Sequence, residues 1–127
     1  MASIPGGALE YAVLSALWRE EALSGREVHE RVGEPAGLVY TTTARVLDRL
    51  LAKGLVERER RDRVYFYRTR ADRAAVERAR IERTLGRSLA DEPLPALAAL
   101  VQAIEAVDPA LLDVLAQVVD EQRRGRR

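Results

Sequence analysis

Ser24-Gly25-Arg26-Glu27 opens a stretch that closes on Val64-Tyr65-Phe66-Tyr67, and the reading of this stretch decides the fold. Ser24 with Glu27 three residues on has the form of a capping box, in which each residue satisfies a free backbone N–H of the other. Such a cap is worth about 1 kcal/mol. The helix that it opens carries Val28 and Val32 as a short apolar stripe, with Gly33 as its expected stop. The loop Gly33-Glu34-Pro35-Ala36-Gly37 is longer than the tightest helix-turn-helix connections. A further helix starts in Tyr40-Thr41-Thr42-Thr43 and is expected over about 41–53. Leu47, Leu50 and Leu51 face its core side, Val46 lies at the margin, and Gly54 serves as C-terminal stop. Next come two segments that alternate at period two, Leu55-Val56-Glu57-Arg58-Glu59-Arg60 and Val64-Tyr65-Phe66-Tyr67. The connecting Arg61-Asp62-Arg63 lacks the glycine of a tight hairpin turn, so a looser tip is expected. Helix, loop, helix and basic hairpin in this order spell a winged helix-turn-helix.

On the N-terminal side, Leu9, Val13, Leu14, Leu17 and Trp18 recur at helical spacing and predict a first helix over about 8–20. Trp18 is read as a core residue rather than a ligand platform, and residues 1–6 as a loose terminus. On the C-terminal side, a helix over about 72–89 has alternating charge and few apolar positions, the pattern of a connector. Asp91-Glu92-Pro93 opens another helix carrying Leu97, Leu100, Val101, Ile104 and Val107. Asp108-Pro109 opens a last one carrying Leu111, Leu112, Val114, Leu115, Val118 and Val119. A fully buried aliphatic side chain is worth about 1.5–3 kcal/mol, and two short helices cannot cover each other. Leu97, Leu100, Val101, Ile104, Leu111, Leu112, Leu115 and Val118 are therefore expected to pack against a second copy of the chain, the alternative being the winged-helix core. The expected organisation is mainly α with a small β-hairpin. Residues 7–70 form the winged helix-turn-helix, 71–123 a connector and helical dimerisation region, and 124–127 a basic tail, disordered from Arg123 onward.

The 127 residues are 47% hydrophobic, ample for a core. The net charge of +1 conceals an uneven distribution. Between Arg58 and Arg73 seven arginines face three acids, whereas Ser88–Glu121 holds seven acids and no Lys or Arg. A basic hairpin attracts phosphate and an acidic C-terminal half is repelled by it, so the two halves are expected to do different work. The chain has no cysteine, which excludes disulfides and thiolate metal sites and fits a reducing cytoplasm. It shows no signal peptide or membrane span, so no membrane insertion is expected. The one histidine, His29, reads as a surface or packing residue. With no phosphate-binding glycine loop and no metal-ligand spacing, an enzyme is not expected, nor is a cofactor or metal site.

Double-stranded DNA is the expected partner. Thr41 and Thr42, beside Tyr40, place hydroxyls and free N–H groups where phosphate and thymine methyls can be reached. Arg45, one turn on, has the fork that fits guanine O6 and N7, and Arg49 reaches toward phosphate. Arg60, Arg61 and Arg63 at the hairpin tip suit the flanking backbone or minor groove. The competing reading is a winged-helix module that binds protein without specific DNA binding.

Four blocks carry a more specific resemblance: Leu14-Ser15-Ala16-Leu17-Trp18, Ser24-Gly25-Arg26-Glu27-Val28-His29-Glu30-Arg31, Tyr40-Thr41-Thr42, and Asp48-Arg49-Leu50-Leu51-Ala52-Lys53-Gly54-Leu55-Val56. In order and spacing they resemble the penicillinase-repressor (BlaI/MecI-type) winged-helix regulators over about residues 8–70. The resemblance implies a homodimeric repressor on a palindromic operator, released in some members when a regulatory protease cuts the C-terminal region. Copper-responsive relatives use a cysteine motif that this chain lacks. Thr43 and Ala44 replace the family's larger aliphatic residue after the Thr-Thr pair, and Arg63 replaces its turn glycine.

Overall fold

The computed structural model describes residues 5–126, so most of the terminus expected to be loose, and Arg127 of the basic tail, lie outside the described residues. Two compact units divide the chain, the first ending at Arg80 and the second beginning at Ile81.

In the first unit, α1 (Ala8–Arg19) buries Val13, Leu14 and Leu17. The short strand β1 (Leu23–Ser24) runs directly into α2 (Gly25–Val28), which continues as a wider π-type turn over His29–Gly33. The capping box is present in full: Glu27 N–H donates to Ser24 Oγ at 3.1 Å, and Ser24 N–H donates to Glu27 Oε1 at 2.9 Å. The helical segment ends at Gly33, as expected, although Gly33 is not left-handed. The residue at φ 74° is Gly37, and the loop closes when Leu38 N–H donates to Gly33 O at 2.9 Å.

α3 (Tyr40–Ala52) ends in a Schellman arrangement around Gly54, also at φ 74°. Gly54 N–H donates to Leu51 O and Leu55 N–H to Leu50 O, each at 3.0 Å. Val46 is fully buried with Leu47 and Leu50, while Leu51 is only half-buried. The core stripe of α3 is thus rotated by one position from the sequence expectation, and it includes Thr43 at 1% exposure.

β2 (Val56–Arg61) and β3 (Val64–Thr69) pair antiparallel, with Arg58 opposite Tyr67, Arg60 opposite Tyr65 and Arg61 opposite Val64. β1 adds on the other side of β3, giving the order β1-β3-β2. The hairpin tip is tight, not loose: two residues, Asp62 at φ 47° and Arg63 at φ 69°, make the turn. Paired positive φ values match the twist of the flanking strands, and here the pairing of six residues per strand enforces them without glycine. Residues from α1, β1, α2, α3, β2 and β3 close one core, to which Leu23, Leu55, Val56 and Tyr67 also contribute. Trp18 flanks it, its Nε1–H donating to Ala71 O at 3.1 Å.

α4 (Arg73–Asp91) starts in the first unit, where Asp72 accepts from Ala75 N–H at 3.3 Å. Tyr11 hydrogen-bonds to Glu77, and Arg80 lies over the Tyr11 ring. The second unit holds the end of α4 with α5 (Pro93–Val107) and α6 (Leu111–Arg124). Asp108 Oδ1 accepts from Ala110 N–H at 3.0 Å in the turn between α5 and α6. Arg123 and Arg124, expected in a disordered tail, form the last turn of α6. Arg124 pairs with Asp120 at 2.9 Å, an i,i+4 contact at the helix end that favours cations. Among the described residues no helix is long and apolar enough to cross a membrane.

Candidate nucleic-acid interface

α3 begins without a side-chain cap: Val39 occupies the N-cap position and offers no acceptor. Its carbonyl takes the N–H groups of Thr42 and Thr43, which leaves those of Tyr40 and Thr41 directed out of the helix start. Tyr40 and Thr41 are exposed, Thr42 is half-buried and Arg45 is exposed one turn on. Thr43 faces inward instead. Its Oγ1 lies 2.8 Å from His29 Nδ1, and the His29 ring meets Tyr40 edge-on at a centroid distance of 5.6 Å. The histidine that looked bland in the sequence therefore supports the first turn of α3. A Cβ built on Gly33 would overlap both His29 Nδ1 and Thr43 Oγ1, so this glycine permits the close crossing of the π-type turn and α3.

At the other end of α3, Glu10 is 8% exposed and receives Lys53 Nζ at 2.7 Å and Arg49 Nε at 3.7 Å. Burial pushes its carboxyl up. The Lys53 hydrogen bond, the Gly6 backbone and the charges of Lys53 and Arg49 outweigh that and hold it below the ordinary range. Arg49 thus keeps a half-exposed side chain but is tethered to α1.

The wing sorts its charges in a way that a linear count could not show. Glu57 pairs with Arg68, and with Arg70 at 3.6 Å, while Glu59 pairs with Arg61 at 3.6 Å. Arg45, Arg60 and Arg63 have no ion-pair partner among the described residues, and all three are exposed. An open groove joins Arg63 and Tyr40 to Arg26 and Tyr65, neither of which the sequence reading had singled out. Gly25 and Tyr67 form part of its lining. The period-two alternation places Tyr65 on a strand, but only the observed register sets it opposite Arg60. Arg26 gave no signal, because within the capping box only Ser24 and Glu27 have a readable role.

The residues expected to dimerise lie outside this region. Leu97, Val101, Leu111 and Val118 are 46%, 41%, 38% and 55% exposed, Leu100, Ile104, Leu112 and Leu115 are half-buried, and no residue of α5 or α6 is buried. Among the described residues there is no group of three or more His, Cys, Asp or Glu that could hold a metal ion.

A family model described as penicillinase repressor matches residues 6–121. The transcriptional regulator BlaI of Mycobacterium tuberculosis is 45% identical over 62 residues, which are 48% of this chain and 45% of that protein. The chain therefore spans about half the length of the curated relatives it matches. The solution structure of the DNA binding domain of the repressor BlaI superposes with a TM-score of 0.51 at 24% identity, covering 58% of this chain and 92% of that domain. At that identity the likeness speaks for the fold. The structure of the hsRosR-S4 complex gives a TM-score of 0.51 at 27% identity, covering 84% of this chain and 91% of the other.

Proposed function

The chain belongs to the penicillinase repressor family, and from that premise we propose that it is a homodimeric, sequence-specific DNA-binding transcriptional repressor. Members of this family are regulators and not enzymes. In this reading α3 enters the major groove with Thr41, Thr42 and Arg45 toward base edges and phosphate, and Tyr40 at the rim. Arg60, Arg61 and Arg63 lie along the flanking backbone or minor groove, and Arg49 approaches a phosphate beside its tether to Glu10. Residues 7–70 serve as the DNA-binding domain and 71–123 as connector and dimerisation region. A palindromic operator then matches the two-fold axis of the dimer. A regulatory protease acting on the C-terminal region, and a cytoplasmic location, belong to the same reading.

The observation that carries the proposal is the uncapped start of α3 beside unpaired Arg45, with a tight hairpin holding unpaired Arg60 and Arg63 on the same unit. Free N–H groups and uncompensated guanidinium groups are what phosphate demands. Fluorescence anisotropy with palindromic and scrambled duplexes across a salt series tests it. With about ten phosphate contacts per dimer, log K should fall against log salt with a slope near −9. Equal affinity for both duplexes would defeat specific repression. It would favour a protein-binding module, for which the exposed Val39, Tyr40, Val64 and Tyr65 offer an apolar surface.

A further inference from the structure

Three arginines of the wing lie over aromatic rings, Arg61 over Phe66 at 5.2 Å among them, and Arg58 lies closest. The Arg58 guanidinium carbon lies 4.1 Å from the centroid of the Tyr65 ring, against 5.9 Å for Arg60 over the same ring. Arg58 stands opposite Tyr67 across the hairpin. Tyr67 is itself buried in the core, at 7% exposure. A planar cation stacked face-on over a ring has less freedom left for a phosphate.

We propose that Arg58 is a positioning residue, stacked on Tyr65 so that it braces the two strands of the basic hairpin against each other and does not itself bind phosphate. The proposal rests on the DNA-binding reading above. α3 and the hairpin must meet one duplex at the same time, and a wing already set in place loses less freedom on binding. Tyr65 becomes the platform of the wing, holding Arg58 over its ring with Arg60 beside it. The phosphate-directed set of the wing remains Arg60, Arg61 and Arg63, with Arg58 behind it.

The full-length chain carrying Arg58→Lys, Arg58→Met, Tyr65→Phe or Tyr65→Leu is titrated with operator duplex over a salt series. A lysine keeps the charge but cannot stack as a planar group. The clamp predicts that Arg58→Lys and Arg58→Met weaken binding alike, by about tenfold (about 1.4 kcal/mol), with the salt slope unchanged. Tyr65→Phe binds as wild type, Tyr65→Leu falls as far as Arg58→Met, and the Arg58→Met/Tyr65→Leu double variant falls no further. Wild-type binding by Arg58→Lys, with a slope lowered by about two per dimer in Arg58→Met, would make Arg58 a direct phosphate contact and overturn the proposal. A second readout needs no DNA: the Arg58 side-chain N–H resonance of the free protein should be ring-shifted and return to its ordinary position in Tyr65→Leu. An unshifted resonance overturns the clamp whatever the DNA result. A shifted resonance in a protein that prefers no palindromic duplex overturns the DNA reading, and the positioning role with it, while the stack itself stands.

Discussion

His29 Nδ1 and Thr43 Oγ1 lie 2.8 Å apart across the crossing of the π-type turn and α3, above a glycine that leaves room for them. The pair seats the first turn of α3, and Tyr40, also in that turn, meets the same imidazole edge-on. Gly33→Ala should drive a methyl group into both atoms and cost about 1–3 kcal/mol, as overpacking does. Thr43→Val keeps the shape and removes only the hydrogen bond, about 1 kcal/mol. Urea unfolding of the two variants checks this; a Gly33→Ala protein as stable as wild type would contradict the close crossing.

Glu10 should make the fold acid-sensitive. Its folded-state carboxyl lies below the ordinary 4.5, so the unfolded chain holds this proton more tightly. Its contribution is then fully present above that ordinary value and is lost as pH falls through it toward the folded value. Glu10→Gln should lower stability by about 1 kcal/mol at neutral pH, a modest figure because Lys53 and Arg49 are partly solvated. The difference from wild type should vanish in acid. Thermal unfolding across pH measures it, and a constant offset at all pH values would count against the pairing.

Arg45 and Arg61 should separate specificity from affinity. Arg45→Ala should reduce the preference for operator over mismatched duplex by about 1–3 kcal/mol at one base position. Arg61→Ala should weaken binding to all duplexes alike and lower the salt slope by about two per dimer. Competition titrations with single-base operator variants distinguish the two; unchanged binding by both variants would move the interface elsewhere.

Arg63 combines an unpaired charge with a backbone conformation at φ 69° that glycine adopts freely. Arg63→Gly should stabilise the fold by about 0.5–1 kcal/mol and at the same time weaken DNA binding. Unfolding and binding measured on the same preparation give both signs. If both rose together, the arginine would have no share in the interface.

The helices of the second unit should not stand alone. Leu100→Asp places a charge on the apolar surface of α5 and should shift sedimentation from dimer to monomer while the first unit stays folded. A wild-type chain sedimenting as a monomer at micromolar concentration would remove the dimer from the proposal.

Much of the fold is legible because it is written locally. The Ser24–Glu27 box needs only two side chains three residues apart, and Gly54 needs only its own φ. The α3 stripe was misplaced by one position because Val46 and Leu51 are both aliphatic. Which of them is buried depends on how α3 crosses α1, a matter of packing and not of periodicity. The hairpin tip misled for a related reason. Turn propensity favours glycine at Arg63, but the strand pairing outweighs it.

By itself the sequence determined the order of elements, the basic character of the wing and the family resemblance, since periodicity, caps and charge density are properties of neighbours along the chain. Only the tertiary structure decided which arginines remain unpaired. Glu57 takes up Arg68 and Arg70, Glu10 tethers Arg49, and Tyr65 stacks under Arg58, all through contacts between segments. Electrostatic and stacking interactions act within a few ångströms in space, so the charges left for a partner can be counted only once the chain has folded.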